Sequence, residues 1–351
     1  MKSWFANHSG AVLALLSSLS VVTLPSNAAE IDIAPMIVGG EEASINDFDS
    51  FASLYIDSTD YDGRYSGGAY CGGTFLTSEY VMTAAHCLEG DMGALLFTSA
   101  VAMLESERDF LNADRRRVTE VYIHPDFNNN ITLLLPNDIA ILKLESPASS
   151  GSNVNRVTTQ SYRNVNETFV AVGHGNTRSG VDGTPILQKA NLFWVSNAVC
   201  ASNFQNGNNL TDKQVCFSGD VSQSTGLKAG TCQGDSGGPI YWNNNGSYQQ
   251  VGITSFGPAT CGDPQSLVTA AYTEIADYAT WIDSVLAGSE TPFIVSDEQA
   301  RLDYLSVNGQ VIYTGGTIST NTSSGGGGGG ALTWLASLAL IVIAAYRRRL
   351  S

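Results

Sequence analysis

Short β-prone runs separated by clusters of Gly, Asn, Asp and Ser fill the middle of the chain, and they restrict its fold more than any other feature. Ala52–Ile56, Tyr80–Thr83, Val118–Ile123, Ile139–Leu144, Phe169–Val172 and Val251–Phe256 are examples. Short strands joined by turns predict an antiparallel sandwich or barrel. One helical pattern stands apart, near Tyr272–Ala287. There Ile275, Tyr278, Ala279, Ile282 and Leu286 share a face, and Gly288 follows as a stop. The main domain is expected to end there. Residues 289–324 are too few for a separate core and turn Ser/Thr/Gly-rich. Within them Leu305-Ser306-Val307 and Gln310-Val311-Ile312-Tyr313 flank Asn308-Gly309, which predicts a type I′ hairpin in this linker. An isolated hairpin is marginal in water, so it should pack on the main body. No internal repeat is visible.

The two ends carry addresses. Lys2 precedes a charge-free apolar stretch from about Gly10 to Leu24, then Pro25 and the small-residue site Ser26-Asn27-Ala28-Ala29. This is the pattern of a secretory signal peptide, residues 1–28, cut after Ala28 or Ala29. The short run and its small-residue exit disfavour a buried first helix. Secretion places the six cysteines in an oxidising compartment, where an even number should pair. At the other end, glycines 325–330 run unbroken, residues 331–346 are apolar and uncharged, and Arg347-Arg348-Arg349 follows. The apolar run is slightly shorter than the ~20 residues of a spanning helix, a difference that tilt or bilayer thinning absorbs. The arginines put the C-terminus in the cytoplasm and the body outside. Residues 325–351 therefore read as a Gly-rich transmembrane tail. The combination resembles the Gly-Gly C-terminal sorting signals of Gram-negative bacteria. That resemblance implies removal of the tail by a rhomboid-type sorting protease (rhombosortase), with the tail only transiently in the inner membrane. Export by the type II secretion machinery from the periplasm would then leave the protein secreted or at the cell surface; a permanent membrane anchor is the plainer alternative.

Charge narrows the partners. Charged residues make up 14% of the chain, below the roughly 25% usual for soluble domains. Acids outnumber bases 33 to 17, a formal net of −16, and Lys2 with the terminal arginines leaves the middle more acidic still. Such a body repels phosphate backbones, so nucleic acid is not an expected partner.

Three segments carry chemistry: Thr83-Ala84-Ala85-His86-Cys87, Asn137-Asp138-Ile139-Ala140-Ile141-Leu142, and Cys232-Gln233-Gly234-Asp235-Ser236-Gly237-Gly238-Pro239. A serine hydroxyl is a poor nucleophile at neutral pH. It needs a base to take its proton and a buried carboxylate to hold that base in the right tautomer. His86, Asp138 and Ser236 supply those types in the order His, Asp, Ser. Attack on a carbonyl creates an oxyanion, which backbone N–H groups must approach without intervening side chains. The amides of Gly234 and Ser236 are the natural donors.

With these motifs the chain resembles a chymotrypsin/trypsin-family serine endopeptidase from Ile37 to about Gly288. Ile37-Val38-Gly39-Gly40 resembles the mature N-terminus, His124-Pro125 a segment ahead of the aspartate, and Gly173-His174-Gly175 the family's Gly-Trp-Gly with His for Trp. The resemblance implies an all-β fold, two six-stranded antiparallel β-barrels with a C-terminal helix, the triad in the cleft between them, and a monomer acting on protein or peptide substrates. It implies the bridges Cys71–Cys87, Cys200–Cys216 and Cys232–Cys261. It also implies a zymogen with a short propeptide, residues 29–36. Cutting between Met36 and Ile37 would free an amine that pairs with Asp235 and orders the oxyanion hole. Met36 departs from the usual Arg or Lys, so a trypsin-like activator would not recognise it.

The implied substrate residues are Gly230, Thr231, Ser255, Phe256, Gly257 and Ala270. Trypsins carry Asp where Gly230 stands. A pocket without a carboxylate cannot compensate a buried Arg or Lys, so apolar side chains such as Leu, Met, Phe or Tyr are expected ahead of the scissile bond. Asp220 and Asp263 stand as alternative sources of a pocket carboxylate, and with them basic specificity. Met36 suits an apolar pocket, which raises self-activation. The rival reading is a protease homologue that binds at a surface without cutting; such proteins usually lose a triad member, and none is lost here. His124 and His174 read as structural. Glu41, Glu42, Asp47 and Asp49 read as a solvated face, and Glu105, Glu107 and Asp109 lack the spacing of a calcium loop. No metal or cofactor is expected.

Overall fold

The computed structural model describes residues 37–164, 166–181 and 184–313, together with the backbone of 318–320. The expected signal peptide, the propeptide with Met36, and the Gly-rich tail of 325–351 lie outside the described residues. Among the described residues no helix is long and apolar enough to cross a membrane.

The first six long strands are β1 (Phe51–Ser58), β2 (Cys71–Thr77), β3 (Tyr80–Thr83), β4 (Thr98–Ala102), β5 (Asp114–Ile123) and β6 (Ala140–Leu144). They pair antiparallel in the order β1–β2–β3–β6–β5–β4, and β4 returns to β1. The next six are β7 (Phe169–Gly173), β8 (Gln188–Val195), β9 (Gln214–Ser218), β10 (Pro239–Asn244), β11 (Ser247–Phe256) and β12 (Ala270–Glu274). Their order is β7–β8–β9–β12–β11–β10, and β10 returns to β7. Each set closes on itself, so no long strand edge is left unpaired. These are the two antiparallel barrels that the motifs imply. Short strands add to them at the sides: Glu41–Glu42 on β8, Arg64–Ser66 on β1, Ile294–Val295 on β5, and 318–320 on Arg64–Ser66.

Every expected strand run falls in one of these strands except Ile139, one residue ahead of β6, because alternate residues on each can enter a barrel. Leu54, Ile56, Val81, Val121 and Ile141 fill the first barrel, each fully buried. In the second, the rings of Phe169 and Phe217 lie 4.6 Å apart and those of Phe217 and Tyr272 lie 5.3 Å apart. Each such side chain contributes about 1.5–3 kcal/mol when removed from water.

The helix expected from Tyr272 begins later. Tyr272 belongs to β12, whose backbone is claimed from both sides by β9 and β11. A helical turn over Ile275–Tyr278 leads into helix α2 (Ala279–Leu286), α1 being Met92–Phe97. Ile275, Tyr278, Ile282 and Val285 are the buried face.

The hairpin expected around Asn308-Gly309 does not form. Glu298–Asn308 is a helix, α3, and Gly309 ends it at φ 72° in the left-handed region. Asp297 caps its start by accepting from the Ala300 amide at 2.8 Å. A left-handed glycine serves a helix end as well as a hairpin turn, and packing decides between them. The extension is bound along the first barrel. Ile294 and Val295 pair with Val121 and Glu120. Arg301, 4% exposed, donates to the carbonyls of Leu96 (2.8 Å), Val118 (2.7 Å) and Ser296 (2.6 Å). The Tyr304 ring lies 5.6 Å from that of Phe97 in α1. Replacing Arg301 by Met leaves three buried carbonyls without their charged donor. We expect a stability loss of about 2–3 kcal/mol, read as a lowered urea midpoint at constant slope; an unchanged midpoint would show that the extension adds nothing.

Candidate active site

His86 sits in the short turn Ala85–Cys87 directly after β3, and the Cys87–Cys71 bridge ties that turn to β2. Asp138 lies two residues before β6 and is fully buried. It follows Asn137, held at φ 58°. The Asn137 side chain accepts from the Tyr278 hydroxyl at 3.1 Å and donates to the Asp126 carbonyl at 2.9 Å, bonds that offset the cost of this backbone. The Asp138 carboxylate receives three donors: the His86 backbone amide (2.9 Å), His86 Nδ1 (2.7 Å) and the Ser255 hydroxyl (2.5 Å). With Nδ1–H given to Asp138, Nε2 is left as the free base. Burial works against a charge on His86, but the adjacent Asp138 outweighs it and holds the imidazole above its ordinary range. Ser255 enters as an unexpected partner of the aspartate. The sequence placed Ser255 among the expected substrate residues but offered no signal for this bond.

Ser236 lies in a loop held from both barrels: its carbonyl accepts from the Gly72 amide of β2 at 2.8 Å, and the next amide, Gly237, donates to Thr254 of β11 at 2.9 Å. Gly234 turns at φ 98°, which a side chain would resist. Asp235 is buried and accepts from the amides of Cys232 and Gly175, both at 2.9 Å. A Cβ on Gly175 would lie 2.4 Å from that carboxylate, so the Gly-His-Gly segment is shaped around Asp235. Burial raises the Asp235 carboxyl to about 7 against the pull of its two amides. Ile37 is fully buried, and the Val38 carbonyl accepts from the Gly230 amide at 2.9 Å.

Two cavities meet at Ser236. One, about 270 Å³, is lined by Thr231, Ser255, Phe256, Gly257 and Ala270 among others. Gly230 lies beneath its wall; the place a Cβ would take there is filled by the Thr269 side chain. Thr269 thus lines the cavity where Gly230 was expected, a position findable only by counting from Tyr272. Asp220 is exposed, and Asp263 turns to the Gln265 amide at 2.9 Å; neither lines the cavity. The second cavity, about 420 Å³, contains His86.

The other bridges are Cys200–Cys216 and Cys232–Cys261. His174 is buried between Ser53 and the Glu105 carbonyl, and burial lowers it to about 4. His124 packs against Tyr278 and Trp281. Glu105 and Glu107 anchor loops through the amides of Ile45 (3.1 Å) and Ala69 (2.6 Å). Cys71, His86 and Cys87 cluster as metal ligands would, but the bridge consumes both sulfurs.

Comparison with known proteins agrees with this geometry. The sequence model of the family described as Trypsin matches residues 37–282. Chymotrypsin-like elastase family member 1 of Canis lupus familiaris is 31% identical over 72% of this chain and 93% of its own. Trypsin of Sus scrofa is 31% identical over 72% and 96%. A trypsin-like protease of Streptomyces glaucescens is 32% identical over 78% and 89%. Among solved structures, neuropsin, a serine protease expressed in the limbic system of mouse brain, superposes with a TM-score of 0.58 at 25% identity, over 71% of this chain and all of its own. Likeness sustained over that length is shared descent rather than convergence on a site, and this chain belongs to the trypsin family of serine endopeptidases.

Proposed function

We propose that the protein is a secreted endopeptidase that cuts after apolar residues, Leu and Met first, once it has been cut before Ile37. The observation that carries the reading is the buried Asp138 carboxylate on His86 Nδ1, with His86 and Ser236 lining one cavity. His86 Nε2 takes the Ser236 proton, the hydroxyl oxygen attacks the carbonyl, and the Gly234 and Ser236 amides receive the oxyanion. His86 then protonates the leaving amine, and water repeats the sequence on the acyl-enzyme. Among the described residues the lining of the Ser236 cavity contains no carboxylate, so it offers nothing to a buried cation. Thr269 and Ala270 limit its depth, which favours Leu and Met over larger rings. Asp235, raised to about 7 by burial, is poised for a cationic partner, and a new amine at Ile37 is that partner. Residues 1–28 would direct export, and the tail would serve sorting.

A sulfonyl fluoride tests the reading. The cut chain should be labelled once, at Ser236, and the uncut chain about 100-fold more slowly, since its oxyanion donors lack the Ile37–Asp235 pair. Protonated His86 cannot accept the serine proton, so labelling should fall with decreasing pH. The raised His86 moves the midpoint above the ordinary value of about 6.5. Equal labelling of cut and uncut chains would sink the activation step, and an unlabelled Ser236 would sink the endopeptidase.

A further inference from the structure

We propose that the segment after the second barrel completes the leaving-group side of the substrate cleft, where Tyr313 and Tyr70 form an aromatic wall and Glu89 and Asp91 supply charge, selecting Lys or Arg just after the scissile bond. The proposal rests on the endopeptidase reading above. The cavity of about 420 Å³ is lined by Tyr70, His86, Glu89, Asp91, Ser236 and Tyr313, among others. It meets the cavity of about 270 Å³ at Ser236, and His86 lines this one and not the other. The leaving amine must receive its proton from the imidazole nitrogen that took the serine proton. The peptide beyond the scissile bond therefore departs on the side of His86, into this cavity.

Tyr313 lies beyond the family match, which ends at residue 282. It reaches the cleft because the chain before it is held. Val311 is 2% exposed, Gln310 accepts from Arg64 Nη1 at 2.6 Å, and the Ile312 amide donates to the Tyr304 hydroxyl at 3.2 Å. The carbonyl of Ile312 presses on Gly93 of α1, where a Cβ would lie 2.2 Å from it. The Tyr313 ring then lies 5.4 Å from that of Tyr70, tilted by 59°. Tyr70 is held through its hydroxyl, 2.7 Å from Thr98 Oγ1. Asp91 and Tyr313 line the same cavity, and burial, and then the charge of Asp91, push the Tyr313 hydroxyl up. Asp91 is itself placed by α1, whose Ala94 amide donates to it at 3.0 Å. Aromatic faces beside carboxylates suit an ammonium or guanidinium on a long apolar stem. Among the described residues no Lys or Arg lines the cavity to oppose one, and the net charge of −16 draws cationic peptides toward the protein.

The test uses the activated full chain and quenched peptides with one common acyl half, Leu before the scissile bond. The two residues after it are Lys-Lys, Ala-Ala or Glu-Glu, and a short anilide carries the same acyl half with nothing beyond. The wild type should favour Lys-Lys over Glu-Glu by about tenfold or more in kcat/KM. Tyr313→Ala should lower the ratio of Lys-Lys to anilide about tenfold, and Glu89→Lys should reverse the preference toward Glu-Glu. Anilide cleavage with equal rates on Lys-Lys and Glu-Glu overturns this inference alone. An unaltered ratio in Tyr313→Ala removes the extension from the site. Should that variant fail to fold, an unaltered preference in Glu89→Lys overturns the inference instead. Loss of all hydrolysis, the anilide included, overturns the endopeptidase reading and this one with it.

Discussion

Ser236→Ala is expected to lower kcat on a Leu-containing peptide by about 10⁶-fold, because base and nucleophile act as one unit and a methyl cannot attack. The fold should survive. The bond that holds this loop to β2 comes from the Ser236 carbonyl, not from its hydroxyl, so the urea midpoint should move by less than about 0.5 kcal/mol in stability. The same variant separates two routes of activation. Met36, uncharged, suits a cavity with no carboxylate among its described lining residues, so uncut wild type incubated alone should become cut before Ile37, while uncut Ser236→Ala stays whole. Hydrolysis above about one-hundredth of wild type in the purified variant would move the nucleophile elsewhere.

Asp138→Asn should cost about 10⁴-fold in kcat at neutral pH, with KM changed little. The carboxylate accepts from the His86 amide, His86 Nδ1 and the Ser255 hydroxyl. A carboxamide of the same shape brings an NH₂ where an acceptor is needed. One route to relief is for His86 to move its proton to Nε2 and accept at Nδ1, which leaves no base facing Ser236. The unmatched donors should also lower stability by about 1–3 kcal/mol. A variant with kcat within tenfold of wild type, measured with active-site titration, would show that Asp138 does not govern the tautomer. KM is the discriminating readout, since mere loosening of the fold would disturb binding as well as turnover.

Much of this was legible along the chain. Tyr80–Thr83 is a strand with the bounds read from the sequence, and the runs at Ala52, Val118, Phe169 and Val251 lie inside longer strands. The Cys71–Cys87, Cys200–Cys216 and Cys232–Cys261 pairs are those the family pattern implied. What misled was local ambiguity. Tyr272 carries a residue pattern that fits a helix face, yet strands on both sides claim its backbone. Asn308-Gly309 fits a hairpin and a helix end equally; Asp297, a helix-starting residue at the right distance, favours the helix. Glu274 shows the other limit. It is buried with Tyr162, Arg163 and Gln160 as partners, which its own neighbourhood in the chain does not announce.

The order of residues alone determined the type of chemistry, the number of barrels implied by the family pattern and the pairing of cysteines, because each rests on side-chain identity at short spacing or on a pattern shared by descent. Tertiary structure decided what lines the cavities at Ser236. Thr269 rather than Gly230 lines the cavity of about 270 Å³ there, Ser255 reaches Asp138, and Tyr313 comes to stand beside Tyr70. Each of these depends on register between strands or on the docking of a distant segment, and such contacts are set by how buried surfaces fit together rather than by neighbours along the chain.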